Sequence, residues 1–484
     1  MKKSKVSVNY LYNVAYQILT FLTPLITAPY LARHFGADSL GVYNYTYSIV
    51  YWFILFGMLG LNLYGNRQIA KVSDDRAARS KTFWEIFTLQ ILNVLVSVIL
   101  FYIIFRMFDH KYFEIFMLQG LMIAASFFDI SWFYNGIENF KKITLRNFVV
   151  KISTIILIFL IIKNPSQIID YVWINIGMAF FSNIVMWINL NKYIDFVKVK
   201  IKDAYKHFKK TFVLFLPQIA TSIYSIFTQT MIGFLYSNIG DVAFYNQAYK
   251  FITMCLSITT TIGVVMLPRI VNSKSKEGEE KAKSLTNKTF KIALFLGLPL
   301  AFGVSAVSIY FIPWFLTEEF KTVGYLLSIM AIVIVFISLT NVMGTQFLLS
   351  MDRDKDYTLS VVAGCVLNVV LNLFLITWYG AIGAAVATVI TEAFVFIIQY
   401  FMVRKTFDFG GTLRKFFKYF VSAFIMGIIV FVIGYCLGAS PLTNVIQLIS
   451  GIGIYFGILF FLKDDLLFFF IGKVKELFIR KKQV

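Results

Sequence analysis

Charged side chains are scarce in this chain. Asp, Glu, Lys and Arg make up 14% of its 484 residues, against about a quarter in soluble domains. That scarcity excludes an ordinary soluble enzyme. Cysteine is scarcer still: Cys255, Cys365 and Cys436 lie singly inside apolar runs, which suits packing and excludes a disulfide framework. His34, His110 and His207 are scattered and near loops, so neither set has metal-site spacing. Alternating polar and apolar segments of about ten residues are missing too, which removes a β-barrel.

What remains is apolar. Hydrophobic residues reach 59%, 53 positions are Phe, and the mean hydropathy is +0.75. Apolar runs of about 18 or more residues recur, each long enough to cross about 30 Å of hydrocarbon. The pattern predicts an all-α polytopic membrane protein. Its fourteen transmembrane helices fall near 8–33, 39–64, 83–106, 112–136, 145–163, 168–190, 211–236, 240–267, 290–314, 322–350, 357–378, 380–403, 413–437 and 442–462. The start, Met1-Lys-Lys-Ser-Lys5, is basic, but the apolar region Val8–Ala32 is too long for a cleavable signal and leads into the next span.

The net charge of +20 could suggest nucleic acid, but its distribution argues otherwise. Assigned to alternate sides of the spans, 39 of the 45 Lys and Arg residues fall on one side and five, including Arg33, on the other, with Lys250 left over. Such asymmetry predicts both termini in the cytoplasm of a multi-pass cell-membrane protein. Attraction to anionic membrane lipid is a by-product, and no nucleic-acid partner is needed. The basic loops 191–210 and 269–291 read as solvated cytoplasmic faces.

The chain also repeats itself. A shift of 202 residues lays Tyr43-Asn-Tyr-Thr-Tyr47 on Tyr245-Asn-Gln-Ala-Tyr249, and Arg67 on Arg269 at the cytoplasmic ends of spans 2 and 8. The constant register predicts two pseudo-symmetric six-helix bundles, 1–200 and 201–405, with a substrate cavity between them. Residues 406–484 add two spans and a basic tail. In this register Lys250 falls on Ser48, so a shared scaffold position carries charge in one half only.

Lys250 is the sharpest oddity, lying about 15 Å inside span 8 by helical rise, where a charge is costly. It reads either as a structural ion-pair partner or as a cationic anchor for an anionic group. Span 1 carries Asn13, Gln17, Thr20, Pro24 and Thr27 as a stripe, and span 7 carries Gln218, Ser222, Ser225 and Gln229. These stripes read either as interhelical hydrogen bonding or as the walls of an aqueous cavity. Pro24 and Pro217 suit bent, flexing helices. Glu392, mid-span, is a candidate for proton or sodium coupling or for pairing with Lys250. Asp129 reads best as a cap near Lys141 and Lys142. Arg33 and His34 could ring an outer exit, and Arg67 and Arg269 are gate candidates at the cytoplasmic end. Met351-Asp-Arg-Asp-Lys-Asp356 offers alternating acids, but as a six-residue turn it is a poor site for metal-dependent sugar transfer. Neither a catalytic residue nor a metal site is expected.

Several stretches resemble the oligosaccharide-lipid (polysaccharide repeat-unit) flippases of the multidrug/oligosaccharidyl-lipid/polysaccharide exporter superfamily. They are Phe128-Asp-Ile-Ser-Trp-Phe-Tyr-Asn-Gly-Ile-Glu-Asn-Phe-Lys141, Met266-Leu-Pro-Arg-Ile270, Asn368-Val-Val-Leu-Asn-Leu-Phe-Leu-Ile376 and Tyr379-Gly-Ala-Ile-Gly-Ala-Ala-Val-Ala-Thr-Val-Ile-Thr-Glu392, with Tyr64-Gly-Asn-Arg67 a weaker match. The likeness covers roughly residues 5–405; spans 13 and 14 match less distinctly. It implies an alternating-access transporter, not an enzyme, that moves undecaprenyl-diphosphate-linked oligosaccharide to the outer leaflet. That substrate and membrane lipids are the implied partners, with a polysaccharide polymerase and glycosyltransferases acting alongside. No cofactor is implied beyond possible ion coupling.

A lipid II flippase shares this fold and carrier. A drug exporter of the same superfamily would favour acidic cavity residues, against which Lys250 argues. A membrane polymerase or glycosyltransferase would need an external loop domain, whereas every predicted external connection is about ten residues or fewer.

Overall fold

The computed structural model describes the backbone of residues 2–107, 111–222, 226–405 and 409–481. Its side chains are described from residue 19 onward, apart from 216–217, 220–221, 264–265, 409–413, 474–475 and 477–481. Among the described residues every regular element is helical. Hydrocarbon dictates that result, because a lipid-exposed backbone must satisfy its own N–H and C=O groups.

Two compact units divide the chain at Ala243 and Phe244. The first comprises α1 (Lys2–Met58), α2 (Leu61–Lys71), α3 (Arg76–Met107), α4 (Phe113–Ala125), α5 (Ser131–Gly136), α6 (Phe140–Ile161), α7 (Ile168–Ile184), α8 (Ile201–Tyr205), α9 (Phe208–Ser222) and α10 (Thr228–Leu235). The second comprises α11 (Gly240–Glu277, whose first turn precedes the boundary), α12 (Glu279–Phe315), α13 (Lys321–Met330), α14 (Val333–Thr340), a π-helical stretch Asn341–Leu348, α15 (Asp354–Val403), α16 (Phe409–Leu437), α17 (Pro441–Phe461) and α18 (Asp465–Lys481).

Ten helical elements are long and apolar enough to cross a membrane, or eleven if the bent pair Glu318–Met330 and Val333–Leu348 is one span. The expected count of fourteen is therefore not established. α1 and α15 each merge two expected spans into one element, with breaks at Gly36 (φ 70°) and Gly380 (φ 53°). An unbroken 50-residue helix would run about 75 Å, far beyond a bilayer. Only glycine takes a positive φ without strain. The expected seventh span is divided between α9 and α10.

Packing also groups the chain differently from the repeat. α9 and α10 belong with the first unit, not at the head of the second. α16 and α17 join the second unit, where the Tyr455 hydroxyl donates to the Phe295 carbonyl of α12 at 2.8 Å.

Each unit has its own aromatic core. In the first, Trp132, Phe133 and Tyr134 are fully buried, and the Phe83 ring stacks on Trp132 at 5.3 Å. In the second, Phe295 sits between Tyr419 and Tyr455.

Candidate functional site

The motif that opens Phe128-Asp129 is a broken helix. α4 ends at Ala125, a single 3-10 turn covers Ser126–Phe128, and α5 starts at Ser131. Carbonyls freed by such a break are expensive in lipid, and here other helices supply donors. Gln90 Nε2 donates to the carbonyls of Ser126 (2.8 Å) and Asp129 (2.9 Å), Asn183 Nδ2 to Ala125 (2.8 Å), and Trp187 Nε1 to Phe128 (2.9 Å). The Asp129 carboxylate accepts from the Ser131 amide at 2.9 Å and its hydroxyl at 2.6 Å. Asp129 is thus a cap, as expected, but of α5; Lys142 turns instead to the Tyr134 hydroxyl and two carbonyls.

Beside the break lies a cavity of about 470 Å³ within the first unit. Tyr47, Tyr51, Asn62, Asp129, Asn183 and Gln218 give it a polar wall. Ser222 lines it too, so two members of the span 7 stripe share one chamber. Gln229, the last of that stripe, is buried on α10 away from it. The stripe at Asn13 and Gln17 lies outside the described side chains, as does Ser225.

In the second unit, α11 has three faces. Residues step about 100° around a helix, which puts Tyr245, Ala248, Ile252, Leu256 and Thr259 on one side, all buried. Phe251, Cys255 and Ile258 form the second side and line an apolar groove of about 450 Å³ shared with α12, α16 and α17. The third carries Lys250, Thr253, Ser257 and Thr261, all exposed. A lipid-facing strip would be apolar; this one is polar along its length. Among the described residues no carboxylate is within ion-pair distance of Lys250. Sequence reasoning singled out Lys250 and missed the three hydroxyls that extend its face, although their three- and four-residue spacing was visible.

α15 carries the second motif. At Gly380 it turns back without a loop: a Cβ on Gly383 would sit 2.0 Å from the Leu375 carbonyl oxygen. The two arms are pinned by buried amides. Asn372 Nδ2 donates to Asn368 Oδ1 at 2.9 Å, Asn368 Nδ2 to Thr391 Oγ1 at 3.3 Å, and Gln399 Nε2 to Ser360 Oγ at 3.0 Å. Tyr245 of α11 joins through Thr388 at 3.0 Å. Glu392 follows Thr391 and is buried, within electrostatic reach of Tyr249. Among the described residues it forms no salt bridge to Lys250.

Residues 6–274, more than half of the chain, match the family described as polysaccharide biosynthesis protein. The chain belongs to that family. A Shigella dysenteriae protein named for O-antigen transport is 23% identical over 78% of this chain and 95% of its own length. An Escherichia coli K12 protein of like name is 24% identical over 84% of this chain and 99% of its own. A structure titled lipid II flippase MurJ superposes with a TM-score of 0.76 at 19% identity, over 95% of this chain and 99% of the other; that likeness concerns the fold.

In this polysaccharide biosynthesis protein, Arg67, Arg269 and Arg33 are exposed, the first two following α1 and near the basic end of α11. His34 Nδ1 lies 2.8 Å from the Tyr30 carbonyl, a contact within its own helix. The turn acids are held by bases: Asp352 pairs with Lys274 at 2.7 Å and Asp356 with Arg353 at 2.6 Å.

The basic segment after α7 is strapped to the first unit. Arg76 holds Asp195 in a two-pronged bond, which keeps that carboxyl below its ordinary range. The buried Glu85 carboxylate accepts from Lys206 at 2.7 Å and from His207 Nε2 at 3.0 Å, while the Tyr64 hydroxyl donates to His207 Nδ1 at 2.6 Å. A neutral imidazole with its proton on Nε2 satisfies both contacts. Burial lowers the pKa of His207, against the opposing pull of Glu85. This network was not legible in the scattered histidines.

Proposed function

We propose that this protein is an alternating-access flippase for undecaprenyl-diphosphate-linked oligosaccharide. It would carry repeat units from the inner to the outer leaflet of the cytoplasmic membrane, for capsule, exopolysaccharide or cell-wall glycan. Both termini would lie in the cytoplasm, and the segment 208–235 would complete fourteen spans. Glycosyltransferases would supply the substrate and a polymerase consume it.

The observation that carries this reading is the exposed polar strip Lys250, Thr253, Ser257 and Thr261 in a chain otherwise built for lipid. A diphosphate needs a cation, which Lys250 offers as a point charge. Sugar hydroxyls need donors and acceptors, which this strip and the wall of Tyr47, Asn62 and Gln218 supply. The polyprenyl chain needs neither, and the apolar groove on α11 suits it. The names of the two O-antigen relatives support the same substrate class.

The test is Lys250→Gln, with membrane levels checked. Surface glycan should fall at least about tenfold while lipid-linked intermediate accumulates on the cytoplasmic side, and Lys250→Arg should restore part of the flux. Undiminished export by Lys250→Gln would remove the anchor. Rescue of cells lacking their lipid II flippase would replace the proposed cargo with lipid II.

Glu392 is proposed as the coupling group, because a buried carboxyl without an ion pair can take up and release a proton or bind sodium. Glu392→Gln should abolish the dependence of export on the ion gradient. Export by that variant that still collapses with the gradient would exclude the role.

A further inference from the structure

A second groove, of about 360 Å³, lies on the first unit between α6 and the end of α7. Lys142, Arg146 and Lys192 line it, and no acid does. Lys142 Nζ is aimed by three acceptors, the Tyr134 hydroxyl at 2.6 Å and the carbonyls of Met186 (3.0 Å) and Ile188 (2.7 Å). Its charge sits 4.1 Å from the Tyr134 ring centroid. None of these partners is an anion, so Lys142 is positioned but not neutralised.

Arg146 follows one turn along α6, its guanidinium on Asn147 Oδ1. Beyond the cations the lining turns apolar. Leu145 and Val149 on α6 face Phe181 and Val185 on α7, four residues apart in each case. Leu145 is 54% exposed. The groove therefore has a cationic head and a greasy body, running from the helix ends towards the bilayer interior.

The groove is separate from the polar cavity. α7 turns Ala179 and Asn183 to the cavity and Phe181 and Val185 to the groove, positions about 200° apart on a helix.

We infer that this groove is a binding site for an anionic phospholipid of the surrounding leaflet. The phosphate sits among Lys142, Arg146 and Lys192, and an acyl chain lies along Leu145–Val149 and Phe181–Val185. Basic pockets between membrane helices bind such headgroups. A soluble phosphate shares the headgroup chemistry, but the apolar strip continuing from the cations serves only a ligand with a chain.

The full-length protein in neutral detergent would be titrated with phosphatidylglycerol or phosphatidylcholine, with binding read by native mass spectrometry. Phosphatidylglycerol should bind at least about tenfold more tightly. Arg146→Gln with Lys192→Gln removes two charges and should weaken it about 30-fold, with unchanged melting temperature in lipid-free detergent. Lys142 is left intact because it also ties α6 to the chain after α7. Leu145→Ser with Val149→Ser should weaken the lipid while leaving any binding of glycerol 3-phosphate unaltered. Equal binding of both phospholipids, or a double charge variant that binds like the parent, overturns the inference. So does glycerol 3-phosphate competing at equal concentration, which marks a soluble-anion site. Binding of undecaprenyl phosphate but not phosphatidylglycerol overturns it too, in favour of a carrier site.

Discussion

The two copies of the tyrosine repeat begin alike and end differently. Tyr43 and Tyr47 stack with ring centroids 6.2 Å apart, and Tyr245 and Tyr249 at 6.1 Å. One residue further on, Ser48 is fully buried and bonds to Thr230 of α10 at 2.8 Å, whereas Lys250 is exposed. Local sequence thus sets the ring ladder, and the helix that packs beside it decides whether the sixth position is sealed. In the first unit α10 seals it. The same register is free to hold a charge in the second.

Exchanging the two residues tests this most severely. Ser48→Lys should cost roughly 3 kcal/mol or more and deplete folded protein from the membrane, read by fluorescence-detected size exclusion. Lys250→Ser should leave that profile unaltered. Equal recovery of both variants would break the contrast.

A smaller effect is expected from loosening α10. A Cβ on Gly233 would lie 2.1 Å from the Tyr45 ring, so Gly233→Val must push α10 away from α1. It should lower stability by about 1–3 kcal/mol and make a cysteine at Ser48 reactive to a soluble maleimide.

The basic ends of the units differ in the same sense. Glu85 is 4% exposed beneath Lys206 and His207, whereas Asp352, paired with Lys274, is 88% exposed. Glu85→Gln should cost about 2 kcal/mol, while Asp352→Asn should give no resolvable change in Tm. His207 adds a slope with pH. Its pKa is lowered in the fold, so the unfolded chain takes up the proton first, near pH 6.5. Stability contributed by the neutral ring is therefore full above that value and falls as pH drops through 6.5 towards the folded pKa. Melting between pH 7.5 and 5.5 should show this decline, and His207→Asn should remove its share.

Some of this was open to reading from the sequence. Apolar runs long enough for a bilayer, and the pile-up of basic residues in alternate loops, follow from solvent alone. Lys250 stood out because a charge in a span is rare. Thr253, Ser257 and Thr261 did not, since hydroxyls in membrane helices routinely bond their own backbone, as Ser257 does to Met254 and Thr261 to Ser257. The break after Ala125 had no proline or glycine to announce it. Its donors, Gln90, Asn183 and Trp187, stand 36 to 59 residues away, and only folding brings them together. The assignment of α9 and α10 was equally hidden, because a repeat in sequence reports ancestry and packing reports contact.

The loopless bend at Gly380 bears on how the chain can be mapped. Epitopes or reporter enzymes inserted between Tyr379 and Ala381 have no slack to occupy, since the backbone there is already in van der Waals contact with the opposite arm. Gly438, at φ 71° with open space around its Cβ position, is the better junction for a topology reporter in the second unit. Failure of an insertion at the first site would reflect a jammed hinge and carry no information about which side of the membrane it faces.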